Sequence, residues 1–114
     1  MKIINLSKGT VLADNAKMAD NSFLRLKGLL GESGLGADCG LILKPCSSIH
    51  TFFMRFAIDA AFVDRQNRII KIYSQLKPWR LSAIFPNSHF CLELPSGTFS
   101  ATQTQAGDQI QIFP

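Results

Sequence analysis

The feature that most constrains this chain is residues 49–64, I-H-T-F-F-M-R-F-A-I-D-A-A-F-V-D. They hold four of its nine phenylalanines, His50, and an aspartate set between apolar residues. At period 2, His50, Phe52, Met54, Phe56, Ile58, Ala60 and Phe62 fall on one parity. Thr51, Phe53, Arg55, Ala57, Asp59, Ala61 and Val63 fall on the other. The first set reads as a core face and the second as mixed. Sixteen residues is long for one strand, so the pattern predicts two strands with a break near Phe56-Ala57.

A chain of 114 residues predicts one domain, 1–114, able to build a core without staples. An apolar content of 46% excludes the disordered class. Asp59 interrupts the best candidate for a bilayer-spanning run, so no membrane span is expected. The N-terminal segment M-K-I-I-N-L-S-K-G-T lacks the h-region and cleavage site of an export signal, and the expected location is the cytoplasm. Cys39, Cys46 and Cys91 are odd in number and read as reduced, buried thiols. The net charge of +4 is unevenly spread: Arg65, Arg68, Lys71, Lys77 and Arg80 cluster, and no acid occurs from Arg65 to Leu92. One basic face is expected.

Short apolar runs at Lys2–Leu6 and Val11–Ala13 flank the turn residues Ser7-Lys8-Gly9-Thr10 and predict two strands. A helix is predicted near residues 21–30: Asp20, Asn21 or Ser22 caps it, Phe23, Leu26, Leu29 and Leu30 form its apolar stripe, and Gly31 ends it. Gly28 inside that pattern suggests a close backbone approach. The glycines of residues 31–40 follow a helix and precede a strand, the wrong order for a phosphate-cradling loop. Gly40–Lys44 predicts a buried strand ended by Pro45. The polar turn between Val63 and Ile69 predicts a β-hairpin. The connection 76–87, with Pro78, Trp79, Leu81, Ile84, Phe85 and Pro86, predicts a loop that covers the core or displays a binding surface. His89–Leu94 alternates Phe90, Leu92 and Leu94 against His89, Cys91 and Glu93, and Gln109–Phe113 closes the chain with Ile110 and Ile112 inward.

The motifs R-L-K-G-L-L-G (25–31), G-L-I-L (40–43), H-T-F-F-M-R-F-A-I-D-A-A-F-V-D (50–64), C-L-E-L-P-S-G (91–97) and G-D-Q-I (107–110) resemble the prokaryotic family called domain of unknown function 192. The resemblance runs from about Val11 to Ile112 and implies a β-rich, barrel-like α+β domain with one short helix. It implies no activity. Ala57 stands where many members carry proline, which weakens the expected strand break. Some members are exported, a property this chain's N-terminal segment does not suggest.

Several constellations carry chemistry. Cys39, Cys46, His50 and His89 have metal-ligand side chains, but their spacing matches no zinc motif, and no metal is expected. Cys46 as nucleophile, His50 as base and Asp59 as orienter is an enzymatic alternative. Asp59 and Glu93 lie within apolar strands, where a carboxylate needs solvent, a cation or backbone donors. Structural pairing, with Arg25 or Arg55 as cation, is the preferred reading. The functional one is two carboxylates lining a pocket beside His50 and Arg55. The basic residues 65–80 with Trp79 suggest nucleic acid, which the lack of any binding motif disfavours.

The sequence therefore predicts one β-rich α+β domain with a partly closed antiparallel sheet. It predicts a binding or accessory module for a small polar ligand or a protein partner, monomeric or weakly dimeric, with no cofactor. The candidate site is His50, Thr51, Arg55, Asp59 and Glu93, with Trp79 on a loop above.

Overall fold

The computed structural model describes residues 1–19, 38–52 and 54–114. The predicted helix at 21–30, with Arg25 and Gly28, and most of the glycine-rich segment after it lie outside the described residues. Eight strands are described: β1 (Lys2–Asn5), β2 (Thr10–Ala13), β3 (Asn15–Ala19), β4 (Cys39–Leu43), β5 (Ile58–Val63), β6 (Ile69–Leu76), β7 (Phe90–Pro95) and β8 (Ile110–Phe113). A helix of one turn and a little more, α1 (Thr98–Thr102), lies between β7 and β8.

The strands form two sheets, β2-β1-β8 and β3-β4-β7-β5-β6. Neither closes into a barrel. They are joined at their margins instead: the Met1 ammonium donates to the Ala16 carbonyl, the Ala16 N–H returns a bond to Met1 O, and Arg68 bridges Gln109. Pairing is antiparallel except between β3 and β4, which run parallel, a feature the sequence pattern did not predict.

Two cores flank the larger sheet. Ile42, Ala61, Val63, Leu92 and Leu94 face Ile3, Leu12, Ile110 and Phe99, which come from the smaller sheet and α1. Leu43, Ile58, Ala60, Phe62 and Cys91 face the other way, onto Ile49, Met54 and partly buried Phe85. All six residues of β5 are buried. A strand covered on both faces reads as a continuous apolar run rather than an alternation. The division of I-D-A-A-F-V into a core face and a mixed one therefore fails, since both parities are buried. Gly40 shows how closely the strands meet: a Cβ there would lie 2.7 Å from Leu94 Cδ2.

Among the described residues of 49–64 there is one strand, not two. Its second half holds β5, and residues 49–52 and 54–57 run as a connection bridged at His50 to Leu81. It crosses the second core, and the loop 77–87 pairs with it irregularly rather than as a regular strand. The hairpin β5–β6 forms as predicted. Asp64 Oδ1 accepts from the N–H groups of Gln66 (2.9 Å) and Arg68 (3.0 Å), and Asn67 takes the left-handed conformation (φ 61°). Aspartate and asparagine favour these roles because short polar side chains replace backbone partners in tight turns.

Candidate functional site

Asp59 and Glu93 do not share a pocket. On β5, Asp59 has the parity of Ala61 and Val63, which face the first core; on β7, Glu93 has the parity of Cys91, which faces the second. The two carboxylates lie on opposite faces of one sheet because strand side chains alternate.

Asp59 is fully buried. Its Oδ1 accepts from the Gln75 N–H at 2.8 Å, and its Oδ2 from the Phe99 N–H at 2.8 Å. The first bond sits where the β5–β6 register shifts, between the pairs Ile58–Leu76 and Ala60–Tyr73, with Gln75 at φ 54°. There the carboxylate takes the place of a ladder partner. The second bond satisfies a donor in the first turn of α1, whose N-cap is Gly97 and has no side chain to do so. This is the geometry of a structural carboxylate, not of a catalytic orienter. Glu93 is buried too, opposite Ala60 on β5 and Leu41 on β4.

Thr51 is also fully buried, and it organises the loop above it. Its hydroxyl donates to the Lys77 carbonyl at 2.6 Å and accepts from the Arg80 N–H at 2.9 Å. Its main chain accepts from the Trp79 N–H at 3.0 Å and donates to Arg80 O at 2.9 Å. Further anchors follow. Ser82 Oγ accepts from the Ile49 N–H at 2.9 Å, and the Tyr73 hydroxyl accepts from the Ala83 N–H at 3.0 Å. Phe85 packs on Phe62 with ring centroids 4.7 Å apart.

These inward contacts leave the intervening side chains outside. Trp79 is 57% exposed, Leu81 70% and Ile84 72%. Trp79 also adopts φ 63°, a left-handed conformation uncommon for a bulky residue. Its ring stacks on Phe52 at 5.9 Å, and Phe52 stacks on His50 at 4.9 Å. The loop predicted either to cover the core or to display a surface does both: Ser82 and Phe85 point in while Trp79, Leu81 and Ile84 point out.

Beside this loop is a shallow depression of about 500 Å³, lined by Lys71, Tyr73, Gln75, Lys77 and Arg80 among others, with no acid among the described residues of its lining. The Lys71 ammonium lies 5.7 Å from the Tyr73 ring centroid. A second depression, about 340 Å³, is lined by Asp64, Arg65, Gln66, Pro86, Asn87 and Ser88, so its cation has an acid beside it.

The remaining candidates separate. Arg55 is exposed on the bend before β5, and Asp59 is buried beyond it. His50 Nδ1 accepts from the Phe52 N–H at 3.3 Å, which places the proton of a neutral ring on Nε2. The Cys46 thiol is directed at the Ser48 carbonyl at 3.2 Å. The two N–H groups bound by Asp59 belong to β6 and α1, so its carboxylate serves the sheet and the start of the helix. No group of three or more His, Cys, Asp or Glu able to hold a metal ion occurs among the described residues. His89 is held below its ordinary pKa by desolvation first and by the charges of Lys44 and Arg65 second.

Sequence reasoning left Phe52 out of the site, named Leu81 and Ile84 within a loop that covers the core or displays a binding surface, and read Lys77 and Arg80 as part of a basic face. The available signal was the density of large apolar residues between Pro78 and Pro86.

A family profile for domain of unknown function 192, described as "Uncharacterized ACR", matches residues 3–112. The chain belongs to this family. Relatives within it include a UPF0127 protein of Thermococcus sibiricus, 30% identical over 95% of this chain and 72% of its own length. The UPF0127 protein of Pyrococcus horikoshii is 30% identical over 97% of this chain and 98% of its own. Among solved structures, a protein of unknown function from Novosphingobium aromaticivorans superposes with a TM-score of 0.83 at 19% identity, covering 98% of this chain and 84% of the other. At that identity the likeness concerns the fold alone. Membership of the domain of unknown function 192 family assigns no reaction, so function rests on the site.

Proposed function

We propose that this chain is a binding module for a small anionic ligand held at the depression of Lys71, Lys77 and Arg80. The carrying observation is the lining itself: among the described residues, three cations and no acid meet in one concavity. Tyr73 and Gln75 add hydrogen-bonding groups to the same surface. Concave sites with a few convergent polar groups are the usual form of small-molecule sites. Arginine and lysine together suit a phosphate or carboxylate group. Thr51 is a positioning residue: it fixes the main chain at Lys77 and Arg80 without facing the ligand. His50, Phe52 and Trp79 supply an adjoining flat surface.

Pyrophosphate is a suitable probe, because the chain has a single tryptophan adjoining the proposed site. Titration should change Trp79 emission saturably, and the combined Lys71→Ala, Lys77→Ala, Arg80→Ala variant should lose that response. All three side chains are exposed, so the variant should fold. Equal binding by the variant, or no binding by the parent chain, would end this reading.

A further inference from the structure

We infer that the loop 77–84 docks this protein peripherally on an anionic lipid surface, with a lipid headgroup as the anion in the adjoining depression. The inference deepens the reading above and rests on it. Single exposed apolar residues are ordinary. Here three stand within six positions: Trp79, Leu81 and Ile84, at 57, 70 and 72% exposure. They are not the by-product of a loose loop, because Thr51, Ser82, Tyr73 and Phe85 anchor the segment from inside.

The chemistry of the neighbours selects the occupant. Lys77 and Arg80 are interleaved with the apolar residues, and Lys71 lines the same depression as both. Tryptophan favours the headgroup boundary, aliphatic side chains enter the acyl region, and flanking lysine and arginine are drawn to anionic lipids. A free phosphorylated ligand would engage the cations but leave Leu81 and Ile84 in water. Nucleic acid would engage the cations and Trp79 but likewise give the aliphatic pair no partner. Only a surface both apolar and anionic uses the whole set. The inference concerns surface attachment; no helix among the described residues is long and apolar enough to cross a membrane.

The test is co-sedimentation of the full chain with phosphatidylcholine vesicles, with and without phosphatidylserine, beside pyrophosphate titration of the same samples. Binding should require phosphatidylserine and weaken as salt rises. Lys77→Ala or Arg80→Ala should each lower partitioning roughly fivefold. Leu81→Ser with Ile84→Ser, both at exposed positions, should lower it roughly tenfold or more while leaving pyrophosphate binding unchanged. Pyrophosphate binding without vesicle binding overturns the lipid inference and leaves the anion site standing. Vesicle binding that survives the Leu81→Ser, Ile84→Ser change also overturns it, reducing the effect to charge alone. Loss of both activities in the parent chain overturns both readings.

Discussion

Replacing Asp59 by asparagine tests whether this carboxylate is an architectural part. The substitution keeps the shape of the side chain and changes what it can accept. In the parent chain each carboxylate oxygen accepts a backbone N–H at 2.8 Å, one from Gln75 and one from Phe99. Asparagine has one oxygen, so one bond survives. The other N–H then meets an amide NH₂, donor against donor. A charge-assisted hydrogen bond contributes roughly 1.5–3 kcal/mol, and a buried donor left without an acceptor costs about 1–3 kcal/mol. These overlap as descriptions of one loss, so about 2–4 kcal/mol is expected for Asp59→Asn. Asp59→Ala removes both acceptors and opens a void between β5 and α1, for about 3–5 kcal/mol. Against a stability of order 5–15 kcal/mol, either change is large. Urea denaturation followed by circular dichroism would measure it, with the slope unchanged and the midpoint lowered. A shift below about 0.5 kcal/mol for Asp59→Asn would refute the argument that both oxygens hold the bulge and the helix start.

Other outcomes follow from the same contacts. Thr51→Val keeps the volume but strands the Arg80 N–H and the Lys77 carbonyl, so about 1–3 kcal/mol should be lost locally and the Arg80 amide should exchange faster with solvent. Gly40→Ala should cost roughly 1–3 kcal/mol in the same denaturation assay, because the new Cβ would press on the buried Leu94 side chain. Burial raises the Asp108 pKa, but bonds from Asn5, Lys8 and the Gln105 N–H together outweigh it and hold it below the usual carboxylate value. Its contribution is therefore present above the unfolded value and lost as pH falls through the folded one; Asp108→Asn should flatten that acid limb. His89 has the opposite origin and the same slope: its depressed folded value means the unfolded chain binds the proton more readily, so stability declines as pH drops below about 6.5. His89→Gln should remove that component from a melting-temperature profile across pH.

The hairpin, β7 and the terminal strand were legible because each has a local signal: Asp64 and Asn67 mark a turn, and F-C-L-E-L carries period 2. β3 was not, because A-K-M-A lacks β-branched residues and is recruited by parallel pairing with β4, a long-range event. α1 was missed for a related reason: its capping donor is satisfied by Asp59, about forty positions earlier in the chain, so T-F-S-A-T shows no capping residue of its own. His50, Thr51 and Trp79 lie near one another, through the Trp79–Thr51 main-chain bond and the His50–Phe52–Trp79 stack. Asp59 turns to the first core, whereas Glu93 faces the second, the side that the described residues around His50 and Thr51 cross, because side chains alternate along two paired strands. Reading that would have required the register, which depends on both cores at once.

The central claim is that the cations beside the anchored loop form the ligand surface, and amide chemical-shift mapping during pyrophosphate titration tests it most directly. The largest shifts should fall on Lys71 to Lys77, Arg80 and the Trp79 indole. Largest shifts around Asp64, Arg65 and Asn87, or shifts spread evenly over every exposed lysine and arginine, would contradict it.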